Sequence, residues 1–302
     1  MKKTLIALGV LAAAGTANAG INIYDADGVT VDFGGDIEVV YIKSTTKDSS
    51  MEQDIQDADF SFDTRYAIND EYTVGAFWEF SGDAGQADTG DVYVALYTAD
   101  MGSIKVGKTA TIFDDAGVGS DYQFGISKAI DDVTVGGEET IKYQIDTGMV
   151  YGGVAFMDNK QGGDRTADMN IGVRVAGFDA VVFYGQTQPA GTTEETDVMA
   201  VELRYAIDAV NLEAGYYDTE DTADSWALAA DYSVDLWTFA TGYSVTTVDK
   251  KVNAAEPETK NWFVNAGYGI APNTKIYAEV GGADIDGTDT DTGYAIGVKA
   301  EF

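Results

Sequence analysis

Apolar and polar residues alternate along most of this chain, over segments longer than an ordinary soluble β-strand. Because successive side chains of a strand point to opposite faces, this period of two predicts strands with one apolar and one polar face. The first segment carries Val29, Val31, Phe33, Ile37, Val39 and Tyr41 on one face, and Thr30, Asp32, Gly34, Asp36 and Glu38 on the other. Segments that begin at Tyr72 and Gly293 repeat the pattern. The sequence therefore predicts an all-β fold.

Short turns and longer polar loops alternate between these segments, as in an up-and-down meander whose two ends differ. We identify seven short turns, the first at Asn69 and Asp70, and eight longer loops, the first near residues 43–56. These fifteen connections join sixteen antiparallel strands and leave both termini on the side of the short turns. The chain length leaves each strand enough residues for the ~9–11 that a tilted strand needs to cross a bilayer.

Sixteen strands enclose an interior too wide for side chains to fill, so the interior of a closed barrel would hold water. The apolar face must then point outward, into lipid. Closure follows, because an open sheet edge in hydrocarbon leaves unpaired backbone groups that cost several kcal/mol each. Tyr and Trp residues near predicted strand ends, such as Tyr72, Trp226 and Trp262, suit interfacial aromatic girdles. We predict a 16-stranded antiparallel transmembrane β-barrel; the alternative is a soluble β-sandwich with these aromatics in its core.

The N-terminal residues have the pattern of an export signal. Two lysines precede an apolar run, and Ala17-Asn18-Ala19 then supplies the small residues that a signal peptidase accepts. The run is too short for a membrane-spanning helix, which needs about 20 apolar residues. We therefore predict a cleaved signal peptide at residues 1–19 and a single barrel domain at residues 20–302.

Composition narrows the chemistry of the chain. It has 18 Lys and Arg against 51 Asp and Glu, a formal net charge of −33, which would repel the phosphate backbone of a nucleic acid. The absence of His and Cys excludes histidine bases, thiol nucleophiles, His-ligated zinc, disulfides and iron–sulfur clusters. We expect no nucleic-acid partner, no cofactor and no catalytic residue. An outer-membrane hydrolase that uses an Asp pair or a Ser-Lys pair is the competing class.

Two predicted strands carry apolar residues on both faces. Val92, Val94 and Leu96 alternate with Tyr93, Ala95 and Tyr97, and residues 149–157 are apolar at both parities. The period of two therefore does not assign the faces of these two strands. Strands that lie against another subunit or against a plug would have such a pattern.

Three segments resemble those of Gram-negative general porins. Residues 23–35, IYDADGVTVDFGG, are similar to the opening of these porins, a short strand, an Asp-Gly turn and the first long strand. Residues 72–80, YTVGAFWEF, resemble their third strand. Residues 101–108, followed by Phe113-Asp114-Asp115-Ala116, resemble their fifth strand and third loop. With the terminal Phe302, the resemblance covers the whole mature chain.

The resemblance implies a homotrimer of sixteen-stranded barrels in the outer membrane of a Gram-negative bacterium. Each barrel would pass small hydrophilic solutes and ions by passive diffusion, and the third loop would fold inward to narrow the pore. The resemblance also implies contacts with outer-membrane lipid and lipopolysaccharide, and recognition of Phe302 by the outer-membrane assembly machinery. The chain departs from the family at the constriction, where most of the usual arginine ladder on the early strands is missing.

The candidate functional residues lie on the third loop and on the predicted inner wall. Residues 109–138 form a loop twice as long as structureless loops usually reach, which indicates a functional insert. Its candidate constriction carboxylates are Asp114, Asp115 and Asp121. The candidate wall cations are Arg65, Lys108, Lys142, Arg174, Arg204, Lys275 and Lys299, of which Lys108 depends on the resemblance alone. Carboxylates around a narrow aqueous path attract cations, so we predict cation selectivity that weakens as salt rises.

An acidic segment near the C-terminus, residues 284–291, is somewhat like an oxygen-rich calcium loop. Asp284, Asp286, Asp289 and Asp291 are weak calcium candidates, because the segment lacks the closing Glu of an EF-hand and lies between strands instead of helices. The alternative is a solvated acidic loop that holds divalent ions loosely near lipopolysaccharide.

Two other functions compete with a general diffusion pore. A substrate-specific porin would carry a track of aromatic residues along the pore, whereas only scattered ones such as Phe77 fall on an inward parity. A barrel that acts mainly as an adhesin or receptor through its outer loops is the second alternative. Saturable block of the ion current by one sugar would favour the substrate-specific interpretation.

Overall fold

A computed structural model describes residues 20–83, 86–160 and 162–302. These residues form seventeen β-strands and one turn of 3₁₀ helix, Ile112–Asp115. No helix in this part of the chain has the length and apolar character that a membrane crossing requires. The predicted signal peptide, residues 1–19, lies outside the described residues.

The strands that follow the short β1 contain 8 to 16 residues, a length that suits tilted strands crossing a bilayer. The strands are β1 (Ile21–Ala26), β2 (Val29–Lys43), β3 (Glu52–Ala67), β4 (Tyr72–Asp83), β5 (Gln86–Thr98), β6 (Ser103–Ala110), β7 (Gly136–Asp146), β8 (Val150–Asp158), β9 (Arg165–Val175), β10 (Phe178–Gln188), β11 (Thr196–Ile207), β12 (Val210–Thr219), β13 (Ala223–Val234), β14 (Trp237–Val248), β15 (Glu258–Ala271), β16 (Thr274–Ile285) and β17 (Gly293–Glu301).

Strands β2 to β17 form a closed ring of sixteen antiparallel strands. Each pairs with its neighbours in sequence, and β17 pairs with β2 to close the ring. The predicted number of barrel strands and their antiparallel order are confirmed. The short β1 pairs with residues 29–33 of β2, whereas β17 pairs with residues 36–43 of the same strand. Strands β1 and β17 therefore share one position in the ring.

The seam between β1 and β17 is closed by the last residue of the chain. Gly35 and Phe302 exchange two backbone N–H···O=C hydrogen bonds, at 2.8 and 2.9 Å. A Cβ atom at Gly35 would collide with the carbonyl oxygen of Asp59 on β3, so this close approach needs glycine. The ring of Phe302 stacks on that of Phe33, with centroids 5.6 Å apart. The seam thus leaves neither backbone group of Gly35 unpaired.

One face of the ring is apolar and exposed, and we call it the apolar face. It includes Ile37 on β2, Val106 on β6, Ile171 on β9, Leu228 on β13 and Ile296 on β17. An exposed apolar band of this kind on a closed barrel is the surface that lipid covers.

The two segments whose faces the sequence did not assign are β5 and β8. On β5, Val92 and Val94 are exposed, whereas Ala95 between β4 and β6 is buried. On β8, Phe156 is exposed and Ala155 is buried. Strand β8 is apolar on both faces because the apolar part of a loop packs against the face that carries Ala155.

The longest connection lies between β6 and β7 and covers residues 111–135, here called the long loop. It is shorter than the predicted 109–138, because β6 continues to Ala110 and β7 begins at Gly136. Another connection on the same end is short for the same reason: only residues 220–222 separate β12 from β13.

Candidate functional site

The long loop packs against the face of the ring opposite the apolar face. We call this the loop face. A wall residue is assigned to it when the strand register places that residue on the same side of the sheet as a residue that contacts the loop. Hydrogen bonds connect the long loop with nine of the sixteen barrel strands, namely β2, β7, β9, β11, β12, β13, β14, β15 and β16. The loop therefore spans a large part of the ring.

Buried carboxylates of the wall hold the loop by its backbone. Glu279 on β16 accepts hydrogen bonds from the backbone N–H groups of Tyr122, Gln123 and Phe124, each at 2.7 Å. Glu279 is only 1% exposed and also accepts from Nδ2 of Asn265, at 2.9 Å. Four donors to one carboxylate compensate the cost of burying its charge.

Two further wall carboxylates accept hydrogen bonds from the N-terminal half of the long loop. Asp168 on β9 accepts from the backbone N–H groups of Ile112 and Phe113, at 3.2 and 2.9 Å. Glu213 on β12 accepts from the N–H group of Gly119, at 2.8 Å. With Glu279, these residues attach the loop at three points along its length.

An apolar cluster joins the loop to the strands between β8 and β15. Ile112 and Phe113 of the 3₁₀ turn are almost completely buried in it, and burial of each such side chain contributes about 1.5–3 kcal/mol. The loop also contributes Ala116, Val118, Ile126, Ala129 and Ile130, and the wall contributes Ala155, Val181, Phe183, Val198, Ala200, Tyr217, Ala227, Ala240 and Phe263. This cluster is an apolar core between the long loop and the loop face of the ring.

Residues 122–124, here called the tip of the loop, are held by aromatic stacking as well as by hydrogen bonds to Glu279. The ring of Tyr122 lies on that of Tyr277, with centroids 3.9 Å apart and planes 7° apart. Nε2 of Gln123 donates to the Tyr277 hydroxyl and to the Glu38 carboxylate, both at 3.0 Å. The tip therefore bridges β16 and β2.

The three candidate constriction carboxylates of the loop are exposed. Asp114 and Asp115 follow the buried Ile112 and Phe113 in the 3₁₀ turn and face away from the apolar cluster. Together with Asp121 and Lys128 they line one concave surface of the loop. Partial loss of hydration raises the pKa of Asp114 above the ordinary aspartate value, and its neighbour Asp115 raises it further. Loss of hydration raises the pKa of Asp121 as well.

Two of the seven candidate cations hydrogen-bond to the long loop. Nζ of Lys142 donates to the carbonyl oxygen of Thr111 at 3.0 Å and lies 3.8 Å from the carboxylate of Asp115. The guanidinium group of Arg204 donates to the carbonyl oxygen of Gly117, and it also pairs with Glu202 at 2.7 Å.

The other five candidate cations are spread around the ring. Arg65, Arg174 and Lys299 pair with wall carboxylates, at 2.8 Å from Asp63, 2.7 Å from Asp146 and 2.7 Å from Asp36. Lys275 is opposite Lys299 and lies 5.9 Å from the centre of the Tyr122 ring. Lys108 is in register with the exposed Val92 and donates to the carbonyl oxygen of Thr89. Register thus places six of the seven candidate cations on the loop face, whereas it places Lys108 on the side of the apolar face.

The loop face of β2 to β6 is strongly acidic. Carboxylates face one another in register, Asp36 with Asp59 and Glu38 with Asp57. Asp32 and Asp63 form a third facing pair on the same two strands, and Glu79 on β4 and Asp91 on β5 extend the acidic group. Among the described residues of these five strands, the loop face carries two cations, Arg65 and Lys105. Lys105 was not among the cations expected on the wall, although the alternation of Ile104, Lys105 and Val106 places it on the polar face.

Comparison with known proteins identifies the family. The model of the Gram-negative porin family matches residues 4–288. The chain is also 32% identical to Porin-like protein H of Photobacterium profundum, with 100% of both chains covered. The chain belongs to the Gram-negative porin family. Its place in the outer membrane follows from that membership.

Solved structures share the fold of this porin at low sequence identity. The trimer form of in-vitro folded OmpT, an outer membrane protein of Vibrio cholerae, matches with a TM-score of 0.78 at 18% identity, over 91% of this porin and 100% of that chain. An anion-selective porin from Comamonas acidovorans matches with a TM-score of 0.68 at 14% identity, over 91% and 100%. At such identities the likeness shows the fold alone.

Three of the four calcium candidates of this porin are engaged with other groups. Asp291 accepts from Nζ of Lys43 at 3.1 Å, and Asp289 pairs with Lys47. Asp286 accepts from the backbone N–H group of Glu258 at 3.1 Å. Within residues 20–83, 86–160 and 162–302, no three potential ligands converge as a metal site would require, Asp284 included.

We expect Glu279→Ala to release the tip of the long loop. Each lost hydrogen bond to a charged group is worth about 1.5–3 kcal/mol, so amide exchange at residues 122–124 should accelerate at least about tenfold. Hydrogen–deuterium exchange with mass spectrometry measures this rate. Glu194→Ala, at an exposed loop position, is the control and should leave it unchanged. Unaltered exchange in Glu279→Ala would show that the carboxylate does not hold the tip.

Proposed function

We propose that this porin forms a water-filled channel for passive diffusion of small hydrophilic solutes and ions, with the long loop inside the barrel as its constriction. The observation that carries the proposal is the set of hydrogen bonds from one loop to nine strands of a closed ring. A segment outside a barrel meets only neighbouring strands, whereas a segment across the interior meets many. The open path then runs between the loop and the acidic loop face of β2 to β6.

Cation selectivity is the finer part of the proposal. Asp114, Asp115 and Asp121 lie on the loop side of the path, and most charged groups of β2 to β6 on the other side are carboxylates. Negative charge on both sides attracts cations and repels anions, most strongly where the path is narrow. Because an anion-selective porin has a similar fold, the fold does not set the sign of the selectivity, and the charges along the path decide it.

Export and assembly complete the proposal. Residues 1–19 act as the signal peptide, residues 20–302 fold as the barrel domain, and the assembly machinery recognises Phe302 in the outer membrane of a Gram-negative bacterium. Outer-membrane lipid surrounds the apolar face, and lipopolysaccharide lies beside the acidic outer loops.

Removing the loop carboxylates should weaken selectivity. We expect the triple variant Asp114→Asn, Asp115→Asn and Asp121→Asn to lower the ratio of potassium to chloride permeability about twofold or more, because one side of the path loses its charge. The reversal potential of the purified porin in a planar bilayer under a potassium chloride gradient measures the ratio.

The control for this triple variant removes the same charge from exposed outer loops. Glu194→Gln, Glu195→Gln and Glu256→Gln should leave the reversal potential unchanged, since charges beyond ~8 Å from the path are screened at physiological salt. An equal loss of selectivity in both triple variants would contradict a constriction at the long loop.

Selectivity should also depend on pH. An ordinary aspartate has a pKa of about 3.9. Because the pKa values of Asp114 and Asp121 are raised, these two groups take up protons at a higher pH than an ordinary aspartate does. Cation selectivity should therefore begin to fall, as the pH is lowered from 7, before that value is reached. Reversal potentials over this pH range test the expectation. The same early change in the triple Asn variant would assign it to other groups.

A homotrimer is the proposed assembly, as in the trimer form of the OmpT structure. The apolar face near the seam carries a cluster of rings in mutual contact, Phe33, Phe60, Phe62, Trp78, Phe80 and Phe302. Aromatic residues concentrate in protein interfaces, and a cluster on one side of each barrel suits a closed three-fold ring.

We expect Phe60→Asn to weaken the trimer, because Phe60 is exposed and stacks on Phe80 at 4.7 Å between centroids. Sedimentation of the purified porin in detergent measures its mass, and the variant should shift from trimer towards monomer. Leu228→Asn places the same polar group on the apolar face of β13 and should remain trimeric. Dissociation of both variants to the same extent would exclude the aromatic cluster as the interface.

A further inference from the structure

Strands β4 and β5 carry three aromatic side chains on the loop face, apart from the cluster that joins the long loop to the wall. Phe77 and Tyr93 are direct cross-strand partners whose rings stack with centroids 5.1 Å apart and planes 15° apart. Tyr97 extends over Gly75, where a Cβ atom would lie 2.7 Å from the tyrosine ring. All three rings are partly exposed.

Two cations flank these rings. The guanidinium carbon of Arg65 lies 4.4 Å from the centre of the Tyr97 ring, and Nζ of Lys105 lies 4.7 Å from the centre of the Tyr93 ring. Register places Gly75 opposite Arg65 and Ala95 opposite Lys105. Because Gly75 and Ala95 have small side chains, the aromatic rings have room between the two cations.

The two cations differ in how their charge is balanced. Arg65 forms hydrogen bonds to both carboxylate oxygens of Asp63, the shortest at 2.8 Å. Lys105 forms no ion pair with any residue that the structure describes, and its cross-strand neighbour on β7 is another cation, Lys142. A carboxylate bound at Lys105 would form the ion pair that this lysine lacks.

We propose that Lys105, Phe77 and Tyr93 form a binding subsite in the pore wall for small aromatic carboxylates. The carboxylate of the solute pairs with the ammonium group of Lys105, and its ring packs on the exposed parts of the Phe77 and Tyr93 side chains. The subsite gives organic anions a local binding position in a wall that otherwise repels them. It rests on the proposed function, because the solute reaches it through the open path.

Benzoate is the probe, and block of the potassium current through the purified porin in a planar bilayer at pH 7 is the first measurement. We expect benzoate to reduce the current saturably, and acetate or benzylammonium at the same concentration to have a much smaller effect. Lys105→Gln should raise the half-blocking concentration about tenfold, the value of one charge-assisted hydrogen bond of at least about 1.4 kcal/mol.

Two further variants separate the ring contact from the charge. Phe77→Leu keeps Lys105 and should weaken the block by benzoate severalfold. Lys105→Arg keeps the positive charge and should retain most of the block. Lys250→Gln removes a lysine from an exposed loop, and block should be unchanged. The unblocked conductance of each variant in potassium chloride shows that it has folded and inserted.

Saturation-transfer NMR with benzoate and the porin in detergent detects binding without conduction. Binding that is lost in Lys105→Gln supports the subsite even if the porin inserts without conducting, an outcome that would overturn the proposed function alone. Conduction without benzoate binding would overturn the subsite alone. Equal block by acetate, or stronger block by benzylammonium, would also overturn it, because the ring or the lysine would then have no role.

Discussion

The structure depends on one constraint, that every backbone N–H and C=O group at membrane depth must find a partner within the protein. Sixteen strands meet it by pairing in sequence and closing between β17 and β2. The seam is where closure is most demanding, because two short partners, β1 and β17, share the length of β2. Gly35 allows the close approach, and the backbone of Phe302 supplies the missing hydrogen bonds. The apolar outer face and the wide interior then follow from the number of strands.

The long loop is subject to a related constraint, because its own backbone groups also need partners. The loop has too little regular structure to satisfy its own backbone, so the wall supplies acceptors, and Glu279 alone takes three consecutive N–H groups. The same contacts satisfy carboxylates that would be costly to bury unpaired. The apolar cluster adds burial energy over the strands between β8 and β15. Loop and wall therefore stabilise each other. Burial of Ile112 and Phe113 in the apolar cluster fixes the 3₁₀ turn, and with it the position of Asp114 and Asp115.

Local periodicity predicted most of the fold. The number of strands, their order and the faces of strands such as β2 and β17 depend on neighbours in sequence, which alternation reports directly. It did not resolve β5 or β8, and it gave no reason for buried Phe183 or Val198 on the loop face, because those depend on contact with a loop far away in sequence. The roles of Asp168 and Glu279 were missed for the same reason: a carboxylate that accepts from a distant backbone looks, in sequence, like any polar wall residue.

The field of the wall depends on which cations form ion pairs and on how many carboxylates are left over. Arg65, Arg174, Arg204 and Lys299 each have a carboxylate partner, so much of their field is cancelled within a few ångströms. The carboxylates of β2 to β6 outnumber the cations available to them, and the excess extends along the wall that faces the loop. A ladder of arginines opposite an acidic loop would create a transverse field by separating charge. With acidic groups on both sides of the path that we propose, the channel would act on ions chiefly through the sign of its net charge, an effect that salt screens over ~8 Å at physiological strength.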